Sequence, residues 1–101
     1  MQFDRWKYYL IYIEEFLEEY WETVDYSEYS RDEPRYEWKS FIKVEECRYV
    51  EDAFEIAWDL LNSIDYDHRI TFIGIFKGDK MLYDSKDVVR IANEVHQEVT
   101  A

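Results

Sequence analysis

The chain has 101 residues, with twelve Lys and Arg against twenty-four Asp and Glu, and a net charge of −12. Its 27 Leu, Ile, Val and Phe exceed the share of about 20% below which a highly charged chain stays unfolded, so one folded domain spanning 1–101 is expected. The sign of the charge argues against direct binding to DNA, RNA or an anionic membrane, which are polyanions held by Lys and Arg, and points to basic partners.

Residues 6–24, placed at 100° per residue, collect Trp6, Tyr9, Leu10, Ile13, Phe16, Leu17, Tyr20, Trp21 and Val24 in an arc of about 140°. Glu14, Glu15, Glu18, Glu19, Glu22 and Asp25 fall in a separate arc, which predicts an amphipathic acidic helix. A strand through Tyr8–Ile13 is the competing pattern, favoured by its β-prone composition. Residues 25–35 read as a loop ending at Pro34, the only proline. From Tyr36 to Val44 the chain alternates, with Tyr36, Trp38, Ile42 and Val44 on one side and Glu37, Lys39 and Lys43 on the other, as in a half-buried strand. From Val50 the period becomes helical: Val50, Ala53, Phe54, Ala57, Leu60, Leu61 and Ile64 make an apolar stripe opposite Glu51, Asp52, Glu55 and Asp59.

Arg69–Phe76 is apolar on both sides, as in a central strand. Lys77-Gly78-Asp79-Lys80 is a tight turn into a strand at Met81–Tyr83. Asp84 and Ser85 announce a last helix with the stripe Val88, Ile91, Ala92, Val95 and Val99. The predicted fold is α+β, a small, mostly antiparallel sheet of about three strands with three helices, in the order helix, strand, helix, strand, strand, helix.

No catalytic, cofactor or metal motif stands out, and a non-enzymatic protein is expected. Glu37-Trp38-Lys39 superficially matches the acid-x-Lys element of metal-dependent nucleases, but the basic approach surface such an enzyme needs is missing. Asp65-Tyr66-Asp67-His68 offers two carboxylates and an imidazole, a metal or acid–base cluster in principle and a helix-to-strand turn more simply. His96 lies on the flank of the last helix without a second ligand at helical spacing. Cys47, the one cysteine, can form no internal disulfide and reads as a packing residue or a semi-exposed thiol. With no apolar run near 18 residues and no leader-like start, a cytoplasmic protein is expected.

The excess charge is confined to residues 1–67, with nineteen acids and seven bases; residues 68–101 carry five of each. Six carboxylates on a helix from Glu14 to Asp25 would occupy roughly 16 Å, one per about 3 Å, against one phosphate per about 3.4 Å along a DNA strand. Glu28, Asp32 and Glu33 would extend that row, and Glu51, Asp52, Glu55 and Asp59 would supply a second. Like charges at i,i+4 destabilise a helix, so their retention suggests use. Tyr8, Tyr12, Tyr26, Tyr29 and Tyr66 interleave with the acids outside the predicted buried stripes, where they would suit an interface such as that of a homodimer.

The acidic faces, small size and the segment Asp84-Ser85-Lys86-Asp87-Val88-Val89-Arg90-Ile91 resemble phage-encoded DNA-mimic antirestriction proteins, the segment being similar to one in members from T7-like phages. The resemblance implies a homodimer whose carboxylates occupy the DNA cleft of a restriction endonuclease or another DNA-processing protein in the host bacterial cytoplasm. The chain departs from those members in ending near neutral, without an acidic tail. The alternative is an acidic interaction module for a basic partner such as a CRISPR effector, a nucleoid protein or a toxin.

Overall fold

A computed structural model describes residues 3–100, and the side chains of 3–95. The chain runs β1 (Tyr8–Asp25), β2 (Ser30–Cys47), α1 (Val50–Asn62), β3 (His68–Lys77), β4 (Lys80–Asp84) and α2 (Ser85–Thr100). The strands form one antiparallel sheet in the order β2-β1-β3-β4. The expected three strands with three helices are thereby replaced, among the described residues, by four strands with two helices.

The correction lies in the first third. Residues 8–25 are a strand paired along its whole length with β2, from Tyr8 opposite Cys47 to Asp25 opposite Ser30. Aromatic and β-branched residues at 8–13 favour the pleated surface, and the hairpin offers a partner to every rung. Residues 30–35, expected as loop, belong to β2, so the turn shrinks to Tyr26–Tyr29. It is closed by the Tyr26 N–H donating to the Tyr29 carbonyl at 2.7 Å, with the two rings stacked 5.0 Å apart.

On a strand, side chains alternate between faces. Leu10 and Tyr12 enter the core beneath the helices with Phe54, Phe72, Ile75, Val88 and Ala92, while Tyr9, Ile11, Ile13 and Leu17 project from the opposite face. Leu10, Ile75 and Val88 are fully buried. Each contributes about 1.5–3 kcal/mol by leaving water. Tyr12, expected at an interface, is a core residue whose hydroxyl donates to Glu45 at 3.1 Å. Burial, with Glu45 beside it, pushes its phenol up to about 12. Trp6, Phe16, Tyr20 and Trp21, expected in the buried stripe, are exposed.

The rest follows its local signals. α1 begins at Val50 with Glu51 and Asp52 in the first turn, where carboxylates complement the helix dipole, and it buries Ala53, Phe54 and Ala57. Gly78, at φ +59°, turns β3 into β4 in the type II′ pattern, and a side chain there would strike the Arg5 backbone. Asp84 caps α2 by accepting the Asp87 N–H at 2.9 Å. Val99 and His96 lie outside the residues whose side chains are described. Cys47 is buried, and desolvation raises its thiol pKa. Among the described residues no helix is long and apolar enough to cross a membrane.

β3 pairs with β1 only over Tyr8–Phe16. Beyond it the Leu17 N–H donates to the Asp67 carbonyl at 2.9 Å, and from there residues 18–25 and 30–37 continue as a two-stranded arm, with no helix or third strand beside it among the described residues. The molecule measures 64 × 38 × 18 Å as a result.

Candidate functional site

The carboxylates singled out by charge density fall into two sets. On β1, alternation sends Glu14, Glu18 and Glu22 to the face that carries the helices and Glu15, Glu19 and Asp25 to the open face. The rise of about 3.4 Å per residue stretches Glu14–Asp25 to roughly 37 Å, so the six carboxylates stand one per about 7 Å, split between two faces. The single helical row at phosphate spacing is therefore absent. Residues i and i+4 are also about 13 Å apart on a strand, which removes the repulsion that a helix would have imposed.

Most of this set is engaged within the fold. Arg35 bridges Glu22 at 3.1 Å and Glu33 at 3.3 Å, relieving two carboxylates that face each other across the ladder. Glu33 also accepts from the Tyr26 hydroxyl and from Arg31 at 2.9 Å, which lower its pKa in that order. Asp32 accepts from the Thr23 hydroxyl at 2.6 Å, Asp25 from Ser30, and Glu15 from Ser40 at 3.2 Å. Glu37 is paired with Lys39 at 3.4 Å. Glu18, Glu19 and Glu28 are exposed and make no ion pair among the described residues.

Glu14 is held differently. Its carboxylate lies 2.9 Å from His68 Nε2, while His68 Nδ1 donates to the Ser63 carbonyl at 2.9 Å and the ring stacks on Phe16 at 4.7 Å. With acceptors at both nitrogens, the doubly protonated ring is favoured, and the pKa is raised above 6.5, first by Ser63 and then by Glu14. This stabilisation is complete below 6.5 and is lost as pH rises through the higher folded value. Denaturation midpoints should fall as pH is raised above about 6.5, and His68→Gln should flatten that slope. The rest of this segment is a turn: Asp65 and His68 exchange backbone hydrogen bonds at 3.0 and 3.2 Å, and the Asp65 carboxylate accepts the Tyr66 N–H. Among the described residues no three His, Cys, Asp or Glu converge on a cation position.

The second set remains as expected. Glu51, Asp52, Glu55 and Asp59 are exposed along α1 opposite its buried stripe and make no ion pair among the described residues. From Glu51 to Asp59 the helix rises about 12 Å, one carboxylate per about 4 Å.

Sequence periodicity put Tyr36, Trp38, Ile42 and Val44 on one side of a half-buried strand, but it did not show that this side is an open sheet face shared with β1. Ile11, Ile13, Leu17, Trp21, Tyr36, Trp38, Ile42 and Val44 share it by register; Ile42 is 72% and Trp21 65% exposed. Arg69 lies over the Trp38 ring at 3.7 Å. The base is covered by described residues, with Phe3 stacked on Tyr9 at 4.3 Å and the Tyr9 hydroxyl accepting the Asp4 N–H. The alternation Tyr36, Trp38, Ile42, Val44 was the part of it legible in the sequence.

An open hollow of about 520 Å³ lies among Leu61, Ile70, Phe72, Val89, Lys86 and Arg90. No carboxylate or imidazole lines it, so it offers apolar and cationic contact without an acid–base pair. Compared with models of known families, with characterised proteins and with solved structures, the chain matches none at a significant level.

Proposed function

We propose that the protein is a non-enzymatic binding module that presents the carboxylates of α1, Glu51, Asp52, Glu55 and Asp59, to a basic surface of a partner protein. The observation that carries this reading is their freedom. They stand on a rigid, core-packed helix, whereas the acids of the arm are largely engaged with Arg31, Arg35 and hydroxyl groups. A free carboxylate row keeps its long-range field, which speeds encounter with a basic cleft and makes binding sensitive to salt. Glu18, Glu19 and Glu28 on the arm extend the negative field beyond the helix.

The narrower form of the reading is a decoy for DNA. The α1 row supports it, because its carboxylate interval of about 4 Å is close to the phosphate interval of one DNA strand. In that form the partner is a restriction endonuclease or another DNA-processing protein of the bacterial cytoplasm. The row is four residues long, a short stretch of a duplex, so the broader form, an acidic module for a basic partner, is the primary conclusion.

The test is affinity capture from a bacterial lysate at low and high salt, followed by binding measurements on the retained protein. Glu55→Lys and Asp59→Lys should each weaken binding by roughly three- to tenfold at low salt, and together by more. Unchanged affinity in the double variant would remove α1 as the contact. Competition by duplex DNA separates the two forms, since a decoy and DNA cannot occupy the partner together.

A further inference from the structure

The outer edge of β2 carries an inference that does not depend on the identity of the basic partner. The Leu17 N–H points away from β2, to Asp67, so Leu17 and Trp38 face each other without exchanging backbone hydrogen bonds. The bond from Tyr26 to Tyr29 fixes the same phase from the other end of the hairpin. Because the β1–β2 register runs without a bulge, Tyr36, Trp38, Ser40, Ile42 and Val44 all turn their N–H and C=O groups outward, to an edge that no strand covers among the described residues. Pro34 belongs to the same outward set. Its missing N–H costs the hairpin nothing and ends the usable edge there.

We propose that this edge pairs with the same edge of a second copy, antiparallel, with Ser40 opposite its own counterpart on a two-fold axis. The sequence is self-complementary in that register. Glu37 faces Lys43 of the second copy and Arg35 faces Glu45, each twice by symmetry, and all four side chains belong to the helix-bearing face. On the open face Trp38 meets Ile42 and Tyr36 meets Val44, aromatic against β-branched in each pair. Residues 36–44 would form about ten backbone hydrogen bonds, and the two open faces would join into one apolar strip.

Neighbouring registers fit less well. Centring on Trp38 brings Pro34 into the ladder opposite Ile42. Centring on Ile42 keeps one kind of ion pair, Lys39 with Glu45, and sets Trp38 against Glu46. A second copy thus meets complementary charge along the edge despite the net −12 of each chain.

Sedimentation equilibrium of the full chain at physiological salt tests this, with the mass expected to rise with concentration from 12.6 kDa to twice that value. Ser40→Pro should hold the protein at the lower mass, with an unchanged circular dichroism spectrum, since within the chain it removes an outward N–H and one exposed hydroxyl contact to Glu15, and Ser40→Ala, which loses that contact but keeps the N–H, should still dimerise. Glu37→Lys should weaken dimerisation by about tenfold, and Glu37→Lys combined with Lys43→Glu should restore it. A wild-type chain that stays monomeric to about 200 μM, or a dimer in which the double swap rescues nothing, would overturn the proposal.

Discussion

Replacing Leu10 by Ala should destabilise the protein by about 3 kcal/mol, the largest loss expected from one substitution in the sheet. Leu10 is fully buried on an inner strand, between Glu45 of β2 and Ile75 of β3, and it packs into the cluster that holds both helices to the sheet. Removing its side chain subtracts apolar contact and leaves a cavity that Ile75 and Val88, fully buried themselves, have little room to fill. Domains of this size have total stabilities of about 5–15 kcal/mol, so the midpoint of thermal unfolding should drop by about 12 °C or more. Calorimetry of the two proteins checks this. A drop of under about 3 °C would mean that the base of the sheet is not the stabilising core.

A second large effect is expected at Gly74. A Cβ built there would sit 2.5 Å from the Tyr83 carbonyl oxygen and 3.3 Å from the Met81 side chain. The nearer atom is backbone, so no rotamer change relieves the clash, and β4 would have to move away from β3. Gly74→Val should cost about 1–3 kcal/mol through overpacking and should weaken amide protection in β4 and at the start of α2. Hydrogen exchange at Tyr83 and Met81 is the direct readout. Protection equal to that of the wild type would show that the strand pair yields without loss.

The legible and illegible parts of this fold differ for a physical reason that β1 makes plain. From Glu14 onward its sequence repeats every four residues: Glu-Glu, Phe-Leu, Glu-Glu, Tyr-Trp, Glu-Thr. On a helix that repeat gathers the apolar residues into one stripe; on a strand it places an acid and an apolar residue alternately on each face. The amphipathic contrast is equally good for the helix and merely neutral for the strand, so periodicity alone selects the wrong element. What decides it is the partner, eighteen residues of β2 in unbroken register, and pairing over that distance leaves no trace in a local window. α1, β3, the Gly78 turn and the Asp84 cap were readable because a period, a turn residue or a capping side chain acts within a few residues. The candidate site divides along the same line. The free row on α1 was legible with its element, whereas the acids of β1 were legible only as exposed charge, their geometry having followed the misread helix.

The arm also determines how the protein behaves in solution. A compact chain of this length has a radius of gyration of about 13 Å, whereas here it is 19.0 Å, a value that a compact fold would reach only near 290 residues. A single copy should therefore tumble slowly and unevenly, elute early from a sizing column, and give a small-angle scattering profile typical of a much heavier particle. Apparent size by elution will overstate the number of chains, and only a mass measured independently of shape will count them.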